Sequence, residues 1–132
     1  MKLCMIGTGY VGLVSGASFS DLGNSVICVD KDTKKIDNLK KGIIPIFEPG
    51  IDELVKKNYR SGKLKFTSNL KESVLKSDII FICVGTPTKR NSNAADLTQI
   101  YKLVKEISKF AKKFKIIIVK STVPVTTGDK IE

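Results

Sequence analysis

The sequence contains no histidine and only three cysteines, Cys4, Cys28 and Cys83. Without histidine, a histidine-dependent catalytic triad, a histidine-ligated zinc site and an imidazole proton relay are all excluded. Three widely spaced cysteines indicate neither a disulfide framework nor a zinc ribbon, and we expect no metal site. No apolar run approaches the roughly 18–20 residues of a membrane span, and the first residues are too short an apolar run for a signal peptide. We therefore expect a soluble, cytoplasmic protein.

Acidic residues are also scarce: the chain has 13 acidic and 23 basic residues, and its formal net charge is therefore +10. The basic residues comprise 21 lysines and only 2 arginines. A charge of this size is compatible with an anionic partner, nucleic acid included. The lysines are scattered, however, and aromatic residues are not interleaved with them. We interpret them as solvated residues on helix faces and expect no nucleic-acid partner.

Apolar and amphipathic stretches alternate along the 132 residues without a repeat or a linker, which predicts a single domain. The predicted strands are Lys2–Ile6, Ser25–Val29, Leu64–Thr67, Ile79–Val84 and Ile116–Val119, and the predicted helices are Tyr10–Leu22, Lys31–Lys41, Ile51–Arg60, Asn69–Lys76 and Asp96–Phe114. The last two strands are continuous apolar runs, typical of strands buried on both faces. The alternation predicts the α/β class: a doubly wound, mostly parallel sheet that ends before a sixth strand, so that Ile116–Val119 is an edge.

A glycine-rich turn, Gly7-Thr8-Gly9-Tyr10-Val11-Gly12, joins the first predicted strand to the first predicted helix. In this context the G-x-G-x-x-G pattern is typical of dinucleotide-binding turns. Gly7 permits the tight turn, Gly9 lets the main chain approach a pyrophosphate, and Gly12 lets the helix pack on the strand. The N–H groups of Tyr10 and Val11 then lie at a helix N-terminus, where they can bind phosphate oxygens.

A second indication lies 18 residues after Gly12, where Asp30 ends the second predicted strand. A carboxylate at this place accepts hydrogen bonds from the adenosine ribose and repels a 2′-phosphate, and no arginine follows it. The sequence therefore predicts a Rossmann-type domain that binds NAD in preference to NADP. The alternative is a glycine turn and a strand-end aspartate with no ligand.

Two further motifs follow the fourth and fifth predicted strands, Val84-Gly85-Thr86-Pro87-Thr88 and Lys120-Ser121-Thr122-Val123-Pro124. Ligands of doubly wound sheets bind outside the carboxyl ends of the strands. The hydroxyl groups of both motifs are therefore predicted to face the ribose and nicotinamide of a bound dinucleotide. Threonine and proline are also ordinary turn residues, and each motif alone is compatible with that alternative.

Together with the segment Pro45–Gly50, these motifs make the whole chain resemble the N-terminal NAD-binding domain of the nucleotide-sugar dehydrogenase family. The resemblance implies that Asp30 and Lys35 bind the adenosine ribose and that Thr86 contacts the cofactor. It also implies that Thr122 contacts the cofactor and helps to order the catalytic water, which makes Thr122 the catalytic residue predicted in this chain.

The segment that follows Thr122 is more similar to the branch of the family that acts on UDP-glucose than to the GDP-mannose branch, although Thr126 replaces a glycine found in many relatives. The family oxidises the C6 alcohol of the sugar to a carboxylate with two NAD molecules in turn, through a cysteine thioester. A UDP-sugar is therefore the implied substrate of the full-length enzyme, and we expect a homo-oligomer. A dehydrogenase of GDP-mannose or UDP-N-acetylmannosamine and a non-catalytic NAD-sensing domain are the alternatives.

The resemblance implies that the thioester cysteine, its supporting residues, a central helix and a C-terminal UDP-sugar domain lie beyond Glu132. Residues 1–132 are then expected to be an incomplete NAD-binding domain without activity of its own. The three cysteines of this chain fall inside predicted strands, and we expect them to behave as small buried hydrophobic residues.

Overall fold

The computed structural model describes residues 1–89 and 94–131. The strands are β1 (Lys2–Ile6), β2 (Ser25–Val29), β3 (Leu64–Thr67), β4 (Ile79–Ile82) and β5 (Ile116–Val119). The helices are α1 (Tyr10–Asp21), α2 (Thr33–Lys40), α3 (Ile51–Arg60), α4 (Leu70–Lys76), α5 (Thr98–Phe110) and α6 (Thr127–Ile131). All strand pairs are parallel and the sheet order is β3-β2-β1-β4-β5, which confirms the predicted α/β fold.

Two apolar layers cover the two faces of the sheet, and the side chains of β1 divide between them. Leu3 and Met5 pack in the layer that holds residues of α1 and α3, whereas Cys4 and Ile6 pack in the layer that holds residues of α4 and α5. This alternation is the period of two that a strand imposes on its side chains. None of the four is more than 5% exposed, so β1 is the central strand and is buried from Leu3 to Ile6.

Strand β5 differs from its prediction. Ile117 and Val119 pack against the layer of α4 and α5, but Ile116 and Ile118 are 46% and 36% exposed. The expectation that this strand is buried on both faces was therefore wrong. The physical reason is that α1 packs chiefly against β1, β2 and β3, which leaves one face of β5 open. Within the part of the chain that the structure describes, β5 pairs with β4 alone and is an edge, as predicted.

Polar side chains set several element boundaries that hydrophobic pattern alone misplaced. Asp32 caps α2 by accepting the N–H of Lys35 at 3.1 Å, so this helix begins at Thr33 rather than at Lys31. The Asp96 carboxylate accepts the N–H of Thr98 at 3.0 Å and precedes α5 instead of joining it. Within residues 1–89 and 94–131, no helix is long and apolar enough to cross a membrane.

Candidate functional site

A cleft of about 610 Å³ opens at the carboxyl ends of β1, β2 and β4. Four of the predicted site residues line it, Gly7, Gly9, Asp30 and Lys35. Further lining residues come from the start of α4 and from α5, and they include Ser68, Leu70, Gln99, Lys102, Leu103 and Glu106. Sequence analysis missed the α5 residues, because their spacing only marks one face of a helix and the chain topology decides what that face borders.

The three glycines of the turn have different surroundings. Gly7 has a φ of +100°, and a Cβ there would lie 2.8 Å from the carbonyl oxygen of Cys83. A Cβ at Gly12 would lie only 1.8 Å from the carbonyl oxygen of Gly7. The protein's own packing therefore requires glycine at both positions. A Cβ at Gly9 would meet nothing within 4 Å, so the main chain at Gly9 is open to an approaching molecule.

Helix α1 starts directly after Gly9 without a side-chain cap and without an acidic residue in its first turn. The first main-chain bond of the helix runs from the N–H of Leu13 to the carbonyl of Gly9, at 2.9 Å. The N–H groups of Tyr10, Val11 and Gly12 precede that bond and have no partner within the helix. They carry the positive end of the helix dipole, which suits phosphate oxygens.

The side chains of Tyr10 and Val11 do not line the cleft. Both are exposed, and the Tyr10 hydroxyl donates a hydrogen bond to the Glu48 carboxylate. This bond, together with the Glu48 charge, raises the pKa of Tyr10. It also ties the segment Pro45–Gly50 to the start of α1. Any contact of Tyr10 or Val11 with a phosphate would therefore use their main-chain N–H groups.

Asp30 follows β2 and collects four hydrogen bonds. Its Oδ2 accepts the N–H of Thr8 at 2.9 Å, the Thr8 hydroxyl at 2.7 Å and the Lys35 ammonium at 3.3 Å. Its Oδ1 accepts the N–H of Asp32 at 3.1 Å. Burial by itself raises the pKa of Asp30, but the Thr8 and Asp32 donors and the Lys35 charge outweigh it and hold the pKa below its ordinary value. Asp30 is therefore a carboxylate at neutral pH.

Thr8 is the second residue that sequence analysis missed. It is 0% exposed, and both of its polar groups bind the Asp30 carboxylate. The G-x-G pattern assigns no role to its middle position. The available indication was a hydroxyl residue at the end of β1, next to the strand that ends in Asp30.

The structure brings together the two threonines predicted from separate motifs. The hydroxyl of Thr86, which is half-buried, donates to the main-chain carbonyl of Thr122 at 3.1 Å. Ser121 adds a second bond between the same loops, because its hydroxyl donates to the carbonyl of Val84 at 2.6 Å. Gly85, beside Thr86, lines the cleft. Thr86 and Thr122 thus lie next to the cleft rather than in its lining, and Thr122 is exposed.

The cysteines are protonated thiols at neutral pH. Cys4 and Cys28 are 0% exposed, and burial raises the pKa of Cys4 to about 12 and that of Cys28 further still. Cys83 is half-buried at the cleft, and burial raises its pKa to about 11. Its predicted place inside a strand was wrong, because β4 ends at Ile82.

Residues 1–132 match the sequence profile of the UDP-glucose/GDP-mannose dehydrogenase family, NAD binding domain. The UDP-glucose 6-dehydrogenase of Rhizobium meliloti (strain 1021) is 55% identical over 132 residues, which are 100% of this chain and 30% of that protein. The UDP-glucose 6-dehydrogenase YwqF of Bacillus subtilis (strain 168) is 49% identical over 131 residues, or 99% of this chain and 30% of that protein. The chain thus spans about 30% of the length of these relatives.

Solved structures agree with the sequence comparison. GDP-mannose dehydrogenase from Pseudomonas aeruginosa, crystallised as a ternary complex, is similar with a TM-score of 0.93 and 37% identity, over 99% of this chain and 30% of that one. A UDP-glucose dehydrogenase from the archaeon Pyrobaculum islandicum is similar with a TM-score of 0.88 and 33% identity, over 94% of this chain and 29% of that one.

Proposed function

Because this chain belongs to the UDP-glucose/GDP-mannose dehydrogenase family and forms its NAD-binding domain, we propose that it is the cofactor-binding part of a UDP-glucose 6-dehydrogenase. The observation that carries the proposal is the Asp30 carboxylate, ionised and held at the end of β2 beside the glycine turn. The local geometry fits NAD in two further ways. The main chain at Gly9 is open, and the first N–H groups of α1 are available to a pyrophosphate.

In this proposal the pyrophosphate lies at the start of α1, against Gly9 and the N–H groups of Tyr10 and Val11. Asp30 and Lys35 hold the adenosine ribose, with Asp30 accepting its hydroxyl protons. The adenine enters the cleft between the end of β2 and helix α5, where Leu70 and Leu103 supply apolar surface. NAD bound there supplies the hydride acceptor of the reaction.

Thr86 and Thr122 are assigned to the nicotinamide side, at the ends of β4 and β5. Ligands of doubly wound sheets bind outside these strand ends, and Gly85 already lines the cleft there. We assign Thr86 to cofactor contact, and Thr122 to cofactor contact and ordering of the catalytic water. The hydrogen bond from the Thr86 hydroxyl to the Thr122 carbonyl supports this assignment, because it holds both loops at one place.

The full-length enzyme would oxidise UDP-glucose to UDP-glucuronate with two NAD molecules, through a thioester on a cysteine outside residues 1–132. The names of the two relatives described above support UDP-glucose. The similarity to GDP-mannose dehydrogenase supports another nucleotide sugar as the alternative, because its NAD-binding part has nearly the same fold. Assaying an enzyme that contains this chain with UDP-glucose, GDP-mannose and UDP-N-acetylmannosamine would decide between them.

Calorimetric titration of the 132-residue chain with NAD and with NADP tests the cofactor site directly. NAD is expected to bind, and NADP to bind far more weakly because its 2′-phosphate meets the Asp30 carboxylate. The variant Asp30→Ala should weaken NAD binding by about 1–3 kcal/mol, the scale for a hydrogen bond to a charged group. Equal curves for the two dinucleotides would contradict the assignment of Asp30.

A further inference from the structure

We propose that Thr8 is a positioning residue that fixes the Asp30 carboxylate for the ribose and thereby sets the preference for NAD over NADP. The inference rests on the role proposed above for Asp30. Thr8 does not line the cleft, so it acts through Asp30 and not on the cofactor.

The contact between the two residues is unusually complete. Thr8 gives both its main-chain N–H, at 2.9 Å, and its hydroxyl, at 2.7 Å, to the same carboxylate oxygen, Oδ2. Thr8 is 0% exposed, so water does not compete for these bonds. A β-branched side chain is also restricted at χ1, which limits the positions of the hydroxyl. Two donors on one restricted residue therefore fix the direction of the carboxylate.

The main chain around Thr8 is itself anchored to the strand that carries Asp30. The N–H of Gly7 donates to the carbonyl of Val29 at 2.8 Å, one residue before Asp30. Gly7 occupies a left-handed conformation with φ of +100° and closely approaches the main chain at Cys83. Thr8 is thus held between a restricted glycine turn and β2. No flexible loop has to become ordered for its hydroxyl to contact Asp30.

The two carboxylate oxygens consequently have different tasks. Oδ2 already accepts Thr8 twice and Lys35 at 3.3 Å, whereas Oδ1 accepts one hydrogen bond from the described residues, the N–H of Asp32. A carboxylate oxygen can accept at least two hydrogen bonds, so Oδ1 has capacity left for a ribose hydroxyl. Held at Oδ2, the carboxylate cannot turn aside for a 2′-phosphate. The lowered pKa of Asp30 agrees with this, because the same donors keep the charge in place.

The test compares Thr8→Val, which keeps the shape and the N–H but lacks the hydroxyl, with Thr8→Ser, which keeps the hydroxyl. Carboxyl NMR of the free chain measures the pKa of Asp30, and calorimetry measures the affinities for NAD and NADP. We expect Thr8→Val to raise the pKa of Asp30 and to weaken NAD binding about tenfold. We also expect it to lower the ratio of the affinity for NAD to the affinity for NADP. Thr8→Ser should return all three quantities towards the wild-type values.

A residue that only fills space would give a different result, because valine fills nearly the same volume. Wild-type values of the Asp30 pKa and of the NAD-to-NADP ratio in Thr8→Val would overturn the inference. Should Thr8→Val fail to fold, Thr8→Ala gives the same two readouts. Asp30→Asn separates this inference from the proposed function: unchanged NAD affinity there refutes the ribose role of Asp30. Weakened binding in Asp30→Asn with no change in Thr8→Val refutes the role of Thr8 alone.

Discussion

Gly12 lies against Gly7 across the turn, so closely that a Cβ at Gly12 would be 1.8 Å from the Gly7 carbonyl oxygen. Gly9, between them in the sequence, would place a Cβ in open space. One motif therefore contains two kinds of glycine. Gly7 and Gly12 are required by contacts within the protein, whereas no protein atom within 4 Å requires glycine at position 9. Substitution can separate the two.

We expect Gly9→Val to keep the fold and to lose NAD binding. The main chain at Gly9 has φ of −72° and ψ of −168°, at the border of the extended region that L-residues occupy, and no protein atom lies within 4 Å of an added Cβ. The branched side chain would instead occupy the space of the pyrophosphate. Circular dichroism should show a melting temperature near that of the wild type, and calorimetry should show no binding.

Gly12→Ala is the matched control, since it introduces a smaller side chain where the protein has no space. Overpacking of this kind costs about 1–3 kcal/mol or more, so its melting temperature should fall whether or not NAD is present. Wild-type NAD affinity in Gly9→Val would refute the role of Gly9 at the pyrophosphate.

Much of this site is local in sequence, which is why the sequence predicted it. The glycine turn depends on neighbouring residues, and Asp30 directly follows a strand that its own apolar run identifies. The contact of Thr8 with Asp30 was missed because it depends on the pairing of β1 with β2. The two residues lie 22 positions apart along the chain. The cleft residues of α5 were missed for the same reason, since only the tertiary packing of the helix brings Lys102 and Glu106 to the cleft.

The fold shows the same limit at the strand Ile116–Val119. Its bounds were predicted because an apolar β-branched run identifies a strand. Its edge position was predicted from the strand order of doubly wound sheets. Its burial was not, because an apolar run looks the same whether one face is covered or both are. The exposed fractions of Ile116 and Ile118 follow from where α1 packs, and sequence pattern does not encode that.

Asp30 should make stability depend on pH in acid. Its pKa is below the ordinary value in the folded chain, so its contribution is present above the unfolded pKa of about 4 and is lost as the pH falls through the folded pKa. We expect Asp30→Asn to be less stable than wild type at pH 7, with the difference shrinking below about pH 4. Urea denaturation at several pH values measures this.

The control for the acid experiment is Asp37→Asn, which removes an exposed carboxylate on α2 that does not line the cleft. In this variant, the difference in the free energy of unfolding between pH 7 and acid should be close to that of the wild type. The contradicting result is an Asp30→Asn variant that loses stability with falling pH as steeply as the wild type does. That result would mean that Thr8, Asp32 and Lys35 do not hold the wild-type Asp30 carboxylate in the way the hydrogen bonds indicate.

The chain alone should produce no NADH from UDP-glucose, because thioester chemistry needs an accessible thiolate. Burial raises the pKa of Cys83 to about 11, so at pH 8 only on the order of one thiol in a thousand is ionised. A thiol-reactive dye should therefore label the native chain slowly and the urea-unfolded chain rapidly. NADH production by the purified chain that disappears in Cys83→Ala would contradict the prediction.

The open face and free edge of β5 predict self-association of the 132-residue chain. The N–H of Ile116 donates to the carbonyl of Asp78, just before β4, at 3.1 Å, and the N–H of Lys120 donates to the carbonyl of Ile82 in β4 at 2.9 Å. The N–H groups of the alternate residues of β5 therefore point away from β4. Such an edge, with Ile116 and Ile118 exposed beside it, is a template for a second chain. The net charge of +10 opposes the contact, so association should increase as salt screens that charge.

Ile118→Lys is the appropriate variant, because Ile117 packs against the layer of α4 and α5 and its replacement would disturb the core. Lysine at the exposed position adds a positive charge that repels a second copy of the chain. Sedimentation should therefore show a larger fraction of monomer. Ile118→Val, which keeps an apolar β-branched side chain, should associate as the wild type does. A wild-type chain that stays monomeric at high concentration and in about 0.15 M salt would mean that Lys115 and Lys120, which bracket the strand, already protect its edge.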